Sequence, residues 1–236
     1  GSSGGGEPGV QGRKSARPHL ASANTKEGFA VEYQVHTIGT RAELPACPVF
    51  LIDHFQWTCR RRPAAWGRMG YLRDTGLCVE LVCEERDPLR VYHNPQDPVC
   101  RDSALEAFFA FGDLPGEPVR NDGFYCNFEL NANGAMYAKL GRGRKNRRPL
   151  TPEEYALCAP RAQLGAQSWS AELTVSEALL ASQLGRAPFS PGGQFFCNFY
   201  KISESPDIEH YASFSPVDSE KPNFHLPECF ARAVLI

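Results

Sequence analysis

Leu77-Cys78-Val79-Glu80-Leu81-Val82-Cys83-Glu84 is the stretch on which the fold class turns. Leu77, Val79, Leu81 and Cys83 fall on one side of an extended chain and Glu80 and Glu84 on the other, the period-two pattern of a half-buried β-strand. Runs of similar length recur at 105–111, 123–130, 135–140, 169–175, 194–202 and 230–236. Turn-rich segments separate them, among them His93-Asn94-Pro95-Gln96-Asp97-Pro98, Asn131-Ala132-Asn133-Gly134 and Ser190-Pro191-Gly192-Gly193. The chain's 19 prolines and 21 glycines suit many turns better than long helices.

Two segments read as short helical connectors. Thr151 stands at an N-cap before Pro152-Glu153-Glu154-Tyr155-Ala156-Leu157, and the second is Ser176-Glu177-Ala178-Leu179-Leu180-Ala181. Many strands, few helices and no β-α-β rhythm predict an all-β fold, an antiparallel β-sandwich of jelly-roll kind with one or two short connecting helices. Residues 28–236 are expected to form this one domain. Residues 1–27 are rich in Gly, Ser, Ala and charge without a period, which predicts a disordered tail whose opening glycines read partly as a cloning scar.

With 42% hydrophobic and 11% aromatic residues the chain can build a substantial core. Its 25 basic and 27 acidic side chains leave a net charge of −2, so no global field draws it to nucleic acid or to an anionic membrane. The basic run 142–148 reads as a solvated loop between a strand and a helix cap. No apolar run approaches the roughly 20 residues needed to span a bilayer, which predicts a soluble chain. Nine cysteines, an odd number without a C-x-x-C pair, read as reduced, mostly buried small hydrophobes. That favours the cytoplasm, although the glycine-rich start leaves room for a leader removed upstream. Nucleophile-elbow, phosphate-loop, dinucleotide and H-E-x-x-H signatures are all missing, so the chain reads as a binding protein before an enzyme.

Three ordered segments carry a resemblance. They are Asp102-Ser103-Ala104-Leu105-Glu106-Ala107-Phe108-Phe109, then Tyr125-Cys126-Asn127-Phe128-Glu129-Leu130-Asn131-Ala132-Asn133-Gly134, then a C-terminal set. That set holds Asn198-Phe199-Tyr200-Lys201, His210-Tyr211-Ala212-Ser213-Phe214-Ser215-Pro216 and Pro222-Asn223-Phe224-His225-Leu226-Pro227-Glu228-Cys229-Phe230. Together they resemble stand-alone bacterial proteins similar to family 9 carbohydrate-binding modules. The resemblance implies noncatalytic binding of a carbohydrate or sugar-like polar ligand, with aromatic rings flanking the sugar and polar groups bonding its hydroxyls. Carried over residue by residue, it implies a ligand site built from Glu106, Asn127, Glu129, Asn198, Lys201, His210, Tyr211 and Phe214.

One departure stands out: Cys100 occupies the place near which sugar-binding relatives carry tryptophan, and Tyr92, Trp57 or Trp66 are the candidate replacements. The family also implies structural calcium, for which Asp113, Glu117, Asn121 and Asp122 share a loop but lack a fixed spacing, so a solvated turn is the expectation there. No resident cofactor is predicted. Two other functions stay open: an enzyme acting on a glycan with carboxylate, Lys and His groups of the same cleft, and a haem-binding module. The sequence does not speak to the oligomeric state.

Overall fold

The computed structural model describes residues 31–236, so the expected tail lies outside the described residues. In chain order the elements are β1 (Glu32–Ile38), β2 (Val49–Leu51), β3 (His54–Phe55), β4 (Ala64–Leu72), β5 (Gly76–Glu84), β6 (Ala104–Phe111), β7 (Phe124–Asn131), β8 (Met136–Arg142) and β9 (Asn146–Pro149). There follow α1 (Pro152–Cys158), β10 (Arg161–Leu164), β11 (Trp169–Ser176), α2 (Glu177–Leu184), β12 (Gln194–Ser203), β13 (His210–Ser213) and β14 (Ala231–Leu235). The seven strand-like runs read from the sequence correspond to β5, β6, β7, β8, β11, β12 and β14.

One layer runs β10-β11-β5-β4 and the other β14-β12-β6-β7-β8-β9, with β1 between them. Residues 32–35 of β1 pair with 232–235 of β14, and residues 36–38 pair with 70–72 of β4, so a single strand joins the edges of both layers. Both of these pairings are parallel, a departure from the wholly antiparallel expectation. No hairpin joins β1 to either partner, so no tight turn dictates its direction.

The main core lies between the layers and follows the period-two pattern. Leu77, Val79, Leu81 and Cys83 of β5 meet Leu105, Ala107, Phe109 and Phe111 of β6, with Cys126 and Phe128 of β7 and Phe195, Cys197 and Phe199 of β12. Burying each large apolar side chain contributes about 1.5–3 kcal/mol, the main stabilising term. Gly67 on β4 is required by this packing: a Cβ there would lie 2.5 Å from the Phe50 ring and 2.6 Å from the Glu80 carbonyl. The helices are as expected. Thr151 accepts the Glu154 N–H at 3.2 Å and Ser176 accepts the Leu179 N–H at 3.2 Å.

A polar network sits on the inner side of β12. Lys201, fully buried, lies 3.6 Å from Glu85 and donates to Ser103 and to His210 Nε2, the latter at 2.8 Å. Ser103 Oγ and Trp169 Nε1 both donate to Glu85, at 2.6 and 3.1 Å. Burial raises the Glu85 carboxyl, but the Lys201 charge and these two hydrogen bonds outweigh it and hold the group below its ordinary range. Burial and then the Lys201 charge pull His210 down to about 4, so the imidazole is neutral and accepts from lysine at Nε2.

Candidate ligand-binding cleft

The outer face of the larger layer carries a second set of alternating residues. Tyr200 of β12, Glu106 of β6, Glu129 of β7 and Tyr137 of β8 are successive cross-strand partners, so they form one row across four strands. Ala104, Phe108, Tyr125, Tyr200 and Ile202 make an apolar floor, against which Phe224 and Phe230 of the C-terminal segment pack. Phe224 stacks on Tyr200 with ring centroids 4.0 Å apart and planes at 16°. An outer sheet face, ordinarily solvated, is thus roofed by the chain's own end.

Between floor and roof lies a cavity of about 280 Å³. Glu106 and Glu129 line it beside Tyr137, Tyr211, Phe224 and His225. Cys100, Arg101, Arg144 and Glu204 stand at its sides. The segment bearing Phe224 is held from below by the loop after β3. Gln56 donates to the Val217 carbonyl at 2.7 Å and accepts its N–H at 3.3 Å, while Trp57 Nε1 donates to the Ser219 carbonyl at 2.9 Å.

Burial sets the electrostatics. Glu106 is 2% exposed and Glu129 6% exposed, and loss of water raises both carboxyls above the ordinary glutamate range. At Glu106 the facing Glu129 charge raises it further. Burial, then Arg147 and Arg144, bring His225 down to about 3. The neutral ring takes contacts at Nδ1 from the Tyr125 hydroxyl at 3.0 Å and from Arg147 at 3.3 Å, which leaves its proton on Nε2.

Of the eight expected site residues, Glu106, Glu129 and Tyr211 line this cavity, and Asn127 adjoins it, donating to Glu129 at 3.1 Å. The other four are elsewhere. Asn198 donates to the Ser215 carbonyl at 3.0 Å and accepts the Ser215 N–H at 2.8 Å, fastening the chain after β13. Lys201 and His210 belong to the inner network, because consecutive residues of a strand point to opposite faces. Phe214 is half-buried against the main core, 5.4 Å from Phe50 and 6.0 Å from Phe199 between ring centroids. Glu106 therefore faces the cleft and Phe214 the main core.

The basic run is also corrected. It forms the β8–β9 hairpin rather than a free loop, and two of its arginines turn toward the site. Arg147 lies 4.5 Å above the Tyr125 ring and donates to Asn127, and Arg144 contacts Asn223 at 3.3 Å. Tyr137 was legible as a strand residue, but only the β7–β8 register sets it beside Glu129. Of the candidates to replace the tryptophan missing near Cys100, Trp57 backs Tyr211, Tyr92 packs against the floor, and Trp66 pairs with Val82 on the other layer. In the acidic loop, Asp113 pairs with Arg142, Asp122 with Arg120, and Asn121 with Glu228. Among the described residues no group of three or more His, Cys, Asp or Glu is arranged to hold a metal ion.

A two-layer β-sandwich with a small cleft of rings and carboxylates on one outer face defines a ligand-binding domain. The family profile of carbohydrate-binding family 9 matches residues 41–235, and the chain belongs to that family. Among solved structures it is similar to a Bacteroides uniformis protein described as a candidate carbohydrate-binding protein, with a TM-score of 0.72 and 19% identity over 88% of this chain and 100% of that one. It is also similar to a family 9 carbohydrate-binding module of Caldicellulosiruptor kristjanssonii. The complex with cellotriose gives a TM-score of 0.56 at 11% identity over 86% of this chain and 93% of that one. The complex with glucose gives 0.56 at 12% identity over 87% and 95%. At these identities the likeness establishes the fold. No curated protein matches the sequence.

Proposed function

We propose that this chain is a noncatalytic carbohydrate-binding domain that takes a sugar in the cleft over β6, β7 and β8. The observation that carries this reading is the row Glu106, Glu129, Tyr137 together with the Tyr211 and Phe224 rings in one cavity. A pyranose has an apolar face of C–H bonds, which a ring desolvates, and hydroxyls that need donors and acceptors. Tyr137, Tyr211 and Phe224 offer ring surface, Glu106 and Glu129 offer carboxyl oxygens, and Arg144 and Asn223 offer N–H donors. Family membership and the two sugar complexes of the Caldicellulosiruptor module support the same ligand class.

The test is calorimetric titration with glucose, cellobiose and cellotriose, each also followed for turnover. Saturable binding without turnover is expected, with Tyr137→Ala and Tyr211→Ala each weakening it by about 5- to 50-fold through lost ring contact. Binding left intact by both substitutions would move the site elsewhere, and cleavage of the oligosaccharide would replace binding with catalysis.

A further inference from the structure

Beside its apolar floor the cleft gathers more acidic groups than a neutral sugar needs. Glu106 and Glu129 face each other across β6 and β7 and are both nearly buried. Glu129 receives one hydrogen bond from Asn127, whereas Glu106 has no hydrogen-bond partner among the described residues beyond Glu129 itself. A third carboxylate, Glu204, lines the same cavity and, among the described residues, its side chain accepts only the Cys100 thiol, at 3.6 Å.

The neighbouring cations are engaged elsewhere. Arg147 is held by Asn127, His225 and the Tyr125 ring, and Arg144 by Asn223. Lys201 lies on the opposite face of β12 beside Glu85. Arg101 and Arg144 line the mouth but are exposed, where water screens their charge. The three carboxylates are not disposed to share a metal ion among the described residues.

Resting on the sugar-binding reading, we propose that the cleft selects a sugar bearing a protonated amine, a hexosamine unit whose ammonium group sits between Glu106 and Glu129. An ammonium brings three donors and a positive charge that favours the ionised form of the two raised carboxyls, and a charge-assisted hydrogen bond to an ionised carboxylate in such a site is stronger than one from a neutral hydroxyl. An N-acetylated amine keeps the size but loses the charge, so it separates this effect from shape.

The experiment compares glucosamine, N-acetylglucosamine and glucose by calorimetric titration at pH 7, where an amine of pKa about 7.7–8.0 is mostly protonated. Glucosamine is expected to bind at least about tenfold tighter than the other two. Glu106→Gln and Glu129→Gln should abolish that advantage, so that within each variant glucosamine binds no tighter than glucose. Equal or weaker binding of glucosamine than of glucose overturns the amine preference and leaves the sugar-binding reading standing. Failure of all three sugars to bind overturns both. The comparison on the unaltered protein decides the matter even if one variant fails to fold.

Discussion

Trp57 stands edge-on against Tyr211, with ring centroids 5.4 Å apart and planes at 84°, directly behind a wall of the cleft. Its backbone sits at φ 58, in the left-handed region that bulky side chains seldom occupy. The same ring lies 5.6 Å from Phe224, and its indole N–H holds the Ser219 carbonyl. These contacts offset a local strain of about 1–3 kcal/mol and fix two cleft rings at once. Trp57 thus buttresses the cleft without lining it.

From this position Trp57 should report ligand binding. Of the three tryptophans, Trp169 is buried in the main core and Trp66 belongs to the other layer, so a change in emission on adding glucose or cellotriose is expected to come from Trp57. Trp57→Phe should remove that change and weaken affinity by about 5- to 10-fold, with a smaller effect on melting. An unaltered emission response in the variant would separate Trp57 from the cleft.

The buried carboxyl pair predicts how stability varies with pH. Glu129 is pushed up from 4.5 to about 7, chiefly by burial, and Glu106 is raised too, against the opposing pull of Arg147 and Lys201. A raised acid keeps its proton in the folded state while the unfolded chain releases it, so stability falls as pH climbs from 4.5 through about 7. Glu106→Gln removes this cost. Relative to the parent, the variant should be more stable at pH 8 than at pH 5, read by calorimetry at both values. Equal loss of stability at both pH values would assign Glu106 a structural role instead.

Lys201 tests the separation of the two faces of β12. Removing one member of a buried ion pair costs about 3–5 kcal/mol because the other charge is left uncompensated. Lys201→Met should therefore lower the melting temperature by roughly 6–20 °C, and adding Glu85→Gln should recover part of the loss. Sugar affinity measured well below the transition should stay within about twofold of the parent, since Lys201 lies away from the cleft. A large loss of affinity would return Lys201 to the site.

The nine cysteines carry no disulfide, and six of them are buried, which raises thiol pKa values and suppresses reactivity. Titration with a thiol reagent in denaturant without reductant should count about nine thiols per chain. In the folded protein the partly exposed Cys59 and Cys229 should react first, and Cys100, partly exposed but with its thiol pKa raised by burial and by the Glu129 and Glu106 charges, should react more slowly. Cys100 lines the cleft, so a saturating sugar should slow its modification.

Period-two alternation made seven of the fourteen described strands legible, because a half-buried strand must place apolar and polar residues on opposite faces. It did not reveal β1, β2, β3, β4, β9, β10 or β13 as strands. Five of these are only two to four residues long, too short for a period to show, and β1 pairs with β4 and β14, distant partners that a short segment does not name.

The sequence by itself determined the fold class and the family, since both follow from local spacing and ordered motifs. Only the tertiary structure decided which face of each strand lines the cleft. Glu106 and Lys201 lie on neighbouring strands and both belong to family-like motifs, yet cross-strand register places them one residue out of phase and therefore on opposite sides of the sheet. Tertiary structure likewise brought Arg144, Tyr137 and Phe224 to the cleft and backed it with Trp57. Register and the path of a long C-terminal loop are long-range properties, fixed when the whole chain packs and not by any stretch read alone.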